Sequence, residues 1–186
     1  MGLPIYRQTR SSVCVTLDEM RPDESEAVRA LFNTVIHEGD SYPQMVPLTP
    51  EGFADYWLKG DAFVVRLSQE MEAVSKQLSA IVGAFYIKPN FPGRCSHICN
   101  AGFIVAPEMR GQGLGRIMGE VMLLLARDRG YRAVMYNLVF ETNAPSLKIW
   151  ESLGFQSIGR LPDAAHIVNG RYVDAIMLYK SLLGDP

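Results

Sequence analysis

Three glycines in the run Arg110-Gly111-Gln112-Gly113-Leu114-Gly115-Arg116 are the residues of this chain best suited to hold a charged group. The apolar residues Ala101, Gly102, Phe103, Ile104 and Val105 precede them and end near Pro107, and a long amphipathic segment follows. That order predicts a strand, a glycine turn and a helix N-terminus in immediate succession. Alternate glycines let backbone N–H groups crowd together with no Cβ between them. The first turn of a helix adds unpaired N–H groups and a partial positive charge. Together these make a socket for a phosphate or diphosphate.

The spacing narrows the ligand. A nucleotide P-loop needs Lys-Ser or Lys-Thr after its glycines, and neither pair follows. The dinucleotide fingerprint Gly-x-Gly-x-x-Gly also fails. Counted from Gly111 its third glycine would be Arg116, and counted from Gly113 it would be Met118. Glycine-rich strand–helix turns also occur as plain connections. The pattern Arg-x-x-Gly-x-Gly after Val-x-Pro resembles the coenzyme A pyrophosphate loop of the GNAT superfamily of N-acetyltransferases. Downstream, Tyr131 to Phe140 reads as a buried strand, followed by Asn143 and then Trp150, Glu151, Gly154 and Phe155. GNAT enzymes carry an Asn after the fifth strand and a closing aromatic–Glu–x–x–Gly–Phe, so the resemblance runs over roughly residues 80 to 180.

The resemblance implies an acetyl-CoA cosubstrate lying between a splayed fourth and fifth strand. Its pantetheine arm would pair with backbone at Phe103, Ile104 and Val105. Its pyrophosphate would meet Arg110, Gly111, Gln112, Gly113, Leu114, Gly115 and Arg116, and Asn143 would bind the cofactor. Many relatives protonate the leaving thiolate with a Tyr seven residues after that Asn, where this chain has Trp150, whose indole N–H does not titrate.

Acetyl transfer needs a neutral amine, and an aliphatic ammonium costs about 4 kcal/mol to deprotonate at pH 7. Two asparagines draw attention for that step. Asn100 and Asn137 each lie within a mostly apolar run and are predicted to be buried. Either each bonds to nearby backbone, or they face one another across the splay and hold substrate or a deprotonating water. The segments Gly39 to Pro43, Cys99 to Phe103, Tyr136 to Asn143 and Tyr172 to Ile176 look like the yeast N-acetyltransferases that detoxify proline analogues. That resemblance makes Asn100, Asn137 and Leu138 the substrate-binding residues, with Asn100 and Asn137 catalytic. It implies a small amine or cyclic imino acid, such as L-azetidine-2-carboxylate, as acceptor.

Other groups weigh less. Cys95, His97 and Cys99 alternate as if on one strand face, but no fourth ligand accompanies them, and no metal is expected. His37, Glu38 and Asp40 could supply a base near the substrate mouth or merely end a helix in solvent. Tyr42 and Tyr172 are pocket wall or packing.

With 48% apolar and 20% charged residues the 186-residue chain has globular composition. A net charge of -2 and the absence of a basic run argue against nucleic-acid binding. No apolar run approaches membrane-spanning length. Three cysteines without a Cys-x-x-Cys pair and the lack of a signal-type N-terminus point to the cytoplasm.

The periodicities predict residues 1–12 as a loose arm and 13–186 as a single domain. Strands are expected over Val13 to Asp18, Asp61 to Leu67, Leu78 to Lys88, His97 to Ala106, Tyr131 to Phe140, from Phe155, and over Tyr172 to Tyr179. Helices are expected over Glu24 to His37 (capped by Asp23), Glu51 to Leu58, Gly113 to Arg129 and Ala144 to Leu153, with a polar loop from Pro162 to Gly170. The resemblance implies the GNAT version of an α/β fold: a mixed, mostly antiparallel sheet of about seven strands with helices on both faces. Family members often dimerise through sheet edges, so a homodimer is a further implication. Three readings follow: an N-acetyltransferase of a small amino or imino acid, a GNAT enzyme for another amine, and an idle acyl-CoA-binding module.

Overall fold

Val28, Phe32, Val35 and Ile36 recur at helical spacing and are buried along one side of α1 (Ser25–Glu38). The structure, a computed structural model, describes residues 2–68 and 80–184. Its other elements are β1 (Ile5–Gln8), β2 (Cys14–Glu19), α2 (Pro50–Trp57), β3 (Asp61–Leu67), β4 (Ile81–Pro89), β5 (Ile98–Val105), α3 (Leu114–Asp128), β6 (Ala133–Phe140), α4 (Ala144–Ser152), β7 (Gln156–His166) and β8 (Tyr172–Ser181). The sheet order is β1-β2-β3-β4-β5-β6-β8-β7, and only the β5–β6 ladder is parallel.

Alternation along the central strands feeds two cores. On one face Val64, Ala84, Tyr86 and Ile104 pack beneath Phe32, Phe53 and Trp57 of α1 and α2. On the other, Phe63, Phe85, Cys99 and Val134 pack beneath Leu114, Met118, Met122 and Trp150 of α3 and α4. The α/β class, the mostly antiparallel sheet and the helices on both faces agree with expectation.

Three expectations change. Residues 1–12 do not form a loose arm throughout, because Ile5–Gln8 pairs antiparallel with β2 and Ile5 is buried. The sheet therefore has eight strands, and the splayed pair expected as fourth and fifth is β5 and β6. Helix α1 starts at Ser25 after the short turn Pro22–Glu24, where the Glu24 carboxylate, not Asp23, accepts the Arg21 N–H at 2.7 Å. The loop expected from Pro162 shrinks, since β7 continues to His166 along the sheet edge. There Pro162 needs no ladder partner, and Asp163 (φ 48°) absorbs an irregular register. Of the strand expected over Leu78 to Lys88, Leu78 and Ser79 lie outside the described residues, as does most of the polar stretch before them.

Candidate active site

The β5–β6 ladder holds only two pairs, Ile98↔Ala133 and Cys99↔Val134, and then the strands part. On its other side, β6 loses register with β8 between Tyr136 and Val139, so Asn137 and Leu138 form a bulge that bends the strand away from β5. The gap is part of a cleft of about 1150 Å³.

The backbone of β5 alternates at this opening. Asn90 N–H donates to Ile98 C=O (2.8 Å) and Ala106 N–H to Val82 C=O (3.0 Å), so the even-numbered residues of β5 face β4. Ala101, Phe103 and Val105 accordingly turn their N–H and C=O toward the gap. Two of these carbonyls are engaged: Phe103 C=O accepts the Tyr42 hydroxyl at 2.9 Å, and Val105 C=O accepts Arg110 Nε at 3.3 Å. Ile104, named with Phe103 and Val105 from the sequence, lines the cleft, but its backbone is committed to β4 and only its apolar surface can contribute.

At one end of the cleft lies the glycine loop. Gly111 (φ 75°) and Gly113 (φ 87°) take left-handed conformations that L side chains resist, and Gly113 is the N-cap of α3. The first helical bond is Ile117 N–H to Gly113 C=O, and among the described residues the N–H groups of 111–116 donate to nothing. Gly113, Leu114, Gly115, Arg110 and Arg116 line the cleft, as does Gly111. Gln112 does not: its side chain is bonded to Ser11 and to Glu108 C=O, leaving only its main chain for the loop. Arg110 is paired with Glu38 (2.9 Å), and Arg116 with Glu120 (2.8 Å) and Ser152 (2.9 Å).

Among the described residues Lys148 and Arg10 line the cleft without a carboxylate partner, and sequence reasoning missed Arg10. Its N–H donates to Gln112 C=O at 3.0 Å, and its side chain lies against Gly113 and lines the cleft. No local pattern could have signalled it, since the β1–β2 turn brings it there from the far end of the sheet order.

Asn143 caps α4, its Oδ1 accepting Ser146 N–H at 3.2 Å while its amide N–H₂ remains free to meet a ligand in the cleft. Trp150 cannot reach outward with its indole N–H, which donates to Ser146 Oγ at 2.8 Å. Its ring is buried against Phe103 and Tyr136.

On the α1–α2 side the expected asparagines do come together, though differently from the expectation. Asn100 is half-buried and Asn137 exposed, because Asn100 borders the cleft and the bulge turns Asn137 outward. They are bridged by Asn90: Asn100 Nδ2 donates to Asn90 Oδ1 (3.1 Å), Asn137 Nδ2 donates to the same oxygen (2.6 Å), and Asn90 Nδ2 returns a bond to Asn137 Oδ1 (3.0 Å). Asn100 Oδ1 keeps its lone pairs for a donor in the cleft. Asn90 stands just past β4 and carried no motif. Leu138 is 42% exposed and forms part of the wall.

Tyr42, Tyr56 and Tyr86 complete this end, and burial holds the Tyr42 and Tyr86 hydroxyls well above the ordinary phenol range. Asp40 is the one carboxylate on the wall among the described residues and accepts Ser41 Oγ at 2.7 Å, whereas Glu38 is occupied by Arg110. Lys88 is the register partner of Asn100. It donates to Tyr56 C=O at 2.8 Å beneath two tyrosine rings, and burial together with Lys59 lowers its pKa. The Cys95, His97 and Cys99 trio does not share a face. Cys95 and His97 precede β5 in a turn, and Cys99 is buried, its thiol pushed up to about 12.

Known proteins resemble this chain in sequence and in fold. The acetyltransferase (GNAT) family matches residues 34–155. The N-acetyltransferase aca1 of Schizosaccharomyces pombe is 38% identical over 188 residues, spanning 93% of this chain and 90% of that protein. A GCN5-related N-acetyltransferase from Kribbella flavida superposes with a TM-score of 0.80 at 27% identity, over 90% of this chain and 97% of that one. The fold is also that of yncA from Salmonella typhimurium, solved with its cofactor acetyl-CoA, at a TM-score of 0.78 and 16% identity over 92% and 95% of the two chains. A family match over more than half the chain, joined to this splayed cleft, means that the chain belongs to the acetyltransferase (GNAT) family and is an N-acetyltransferase dependent on acetyl-CoA.

Proposed function

We propose that this enzyme acetylates the amine of a small, carboxylate-bearing acceptor, with a cyclic imino acid such as azetidine-2-carboxylate as the favoured class, by direct transfer in a ternary complex. The observation that carries the reading is the Asn100–Asn90–Asn137 amide cluster at the open edge of β5. Bound acetyl-CoA supplies the acetyl group as an activated thioester. The unpaired N–H groups of 111–116 suit its diphosphate, and the outward N–H groups of Phe103 and Val105 suit its amide arm and thioester oxygen.

Asn100 Oδ1, aimed by Asn90, can accept the N–H of a neutral acceptor amine and so orient its lone pair. Asparagine is no base, so the ammonium proton has to leave through water, for which Asp40 offers the nearest anionic wall. Lys88, the register partner of Asn100 on β4, adds positive charge behind this end of the cleft, which favours an acceptor that carries a carboxylate.

Free thiol release from acetyl-CoA over a panel of imino acids, open-chain amino acids, peptides and aminoglycosides tests the reading. Azetidine-2-carboxylate should be acetylated faster than open-chain amino acids. Turnover of a peptide or an aminoglycoside with none for imino acids would sink the substrate class.

Two further results are expected. Arg10→Ala weakens acetyl-CoA binding by about three- to fivefold, less so at high salt, because an exposed cation contributes only modestly. No change in calorimetric affinity would remove Arg10 from the socket. Asn143→Ala lowers stability by about 1 kcal/mol through the lost cap and raises the acetyl-CoA KM. Asn143→Asp retains the cap and the melting temperature but still raises that KM, since the amide donor is gone. An Asp variant with parental KM would leave Asn143 a cap alone.

A further inference from the structure

Apart from aromatic residues and Cys99, the one buried polar side chain among the described residues is Thr9, 6% exposed, and it stands in the β1–β2 turn. A hydroxyl enclosed in a turn needs partners that hold it there. Thr9 Oγ1 accepts Val13 N–H at 3.2 Å and meets Ser11 Oγ at 3.1 Å. The Ser11 hydroxyl in turn bonds Gln112 Oε1, 101 residues away along the chain. Gln112 Nε2 donates to Glu108 C=O at 3.1 Å, which leaves Oε1 as the acceptor and makes Ser11 the donor. With the Ser11 proton spent on Gln112, Thr9 has to donate to Ser11. The bonds therefore run in one direction, from Thr9 through Ser11 and the Gln112 amide to Glu108 C=O, and bonds so aligned strengthen one another.

This chain of bonds ends inside the glycine loop. Gln112 stands between Gly111 (φ 75°) and Gly113 (φ 87°), the two soft positions of the loop. Its side chain is tied at both ends, and its C=O accepts Arg10 N–H at 3.0 Å. Peptide geometry carries that restraint to the ligand side. In a trans peptide the C=O and the following N–H point in opposite directions. Gln112 C=O points at the β1–β2 turn, so the Gly113 N–H points away from it. That N–H donates to nothing among the described residues, and Gly113 lines the cleft.

We propose that the β1–β2 turn is a positioning element for the cofactor, in which Thr9, Ser11 and the Arg10 N–H fix the Gln112–Gly113 peptide and so aim the Gly113 N–H before acetyl-CoA arrives. This rests on the reading of residues 111–116 as the diphosphate site. Thr9, Ser11 and Gln112 are positioning residues, because none of them lines the cleft and each acts through the loop. A loop with glycines at alternate positions has many shapes open to it, and the ordering needed on binding lowers affinity. The turn removes that cost by holding the loop in one shape. Its action is separate from the charge of Arg10, whose side chain lies against Gly113 and acts on an anion directly.

Ser11→Ala removes the donor to Gln112 at an exposed position. It is expected to weaken acetyl-CoA binding about three- to tenfold by calorimetry, with kcat at saturating acetyl-CoA and the acceptor KM unchanged. Ser11→Thr keeps the hydroxyl and should restore parental affinity. The loss in Ser11→Ala should be equal at low and high salt, because no charge is removed, whereas that of Arg10→Ala shrinks. Gln112→Ala should lose about as much, and the double variant no more than either single one, since both cut the same chain of bonds. Parental affinity in Ser11→Ala, no recovery in Ser11→Thr, a loss that fades with salt, or additive losses in the double variant would overturn the proposal. Parental affinity in Ser11→Ala beside lost binding in Gly113→Val strikes the positioning role alone. Parental affinity in both strikes the diphosphate reading on which it rests.

Discussion

Gly113→Val is expected to abolish acetyl-CoA binding while the sheet stays folded. At φ 87° this residue turns the chain from the β5 loop into α3, and the N–H groups on either side of it are those left without acceptors. Space is not the obstacle, since an added Cβ would only touch the Arg10 side chain at 3.4 Å. The obstacle is the backbone. A left-handed conformation costs an ordinary L residue about 1–2 kcal/mol, and a β-branched one more, so the loop escapes the strain by reshaping and the N–H array loses its convergence. Gly113→Ala should therefore bind with intermediate affinity, and Gly113→Val at least about 100-fold more weakly than the parent. Arg116→Ala should have a modest effect, because its guanidinium is already shared between Glu120 and Ser152. Calorimetry with circular dichroism decides the matter. A folded Val variant with parental affinity would move the diphosphate site elsewhere.

The second large effect concerns the acceptor. Asn100→Ala and Asn137→Ala should each lose on the order of 10²-fold in kcat/KM for the imino acid, about 2.7 kcal/mol, with acetyl-CoA affinity nearly unchanged. Removing either amide leaves Asn90 Oδ1 with one donor in place of two and takes one polar side chain away from the acceptor. Asn90→Ala should cost less than either, because Asn100 and Asn137 remain present but are no longer aimed. The Asp variants keep size and add charge, so near-parental rates in them would show that the amide donors are dispensable. Losses that appear only in the acetyl-CoA KM would reassign the cluster to the cofactor.

The diphosphate loop was legible because its chemistry is local. Seven consecutive residues supply the N–H groups, and glycine spacing alone rejects the nucleotide and dinucleotide alternatives. The strand–helix order was legible for the same reason, since period-two and 3.6-residue patterns are properties of short windows. β1 escaped notice because a four-residue edge strand with one buried side chain has almost no alternation to detect. The burial of Asn100 and Asn137 was misread for a related reason. An apolar run implies enclosure, but a strand beside a splay or in a bulge is apolar on its packed side and open on the other.

What the amino-acid sequence determined by itself was therefore the family, the loop that can hold a diphosphate, and the residue types on the two strands that form the cleft. The tertiary structure decided which groups meet there. Arg10 arrives from the first hairpin and Asn90 from the end of β4. Each depends on strand order and register between segments tens of residues apart, and a hydrogen bond across that distance leaves no periodic trace in either segment.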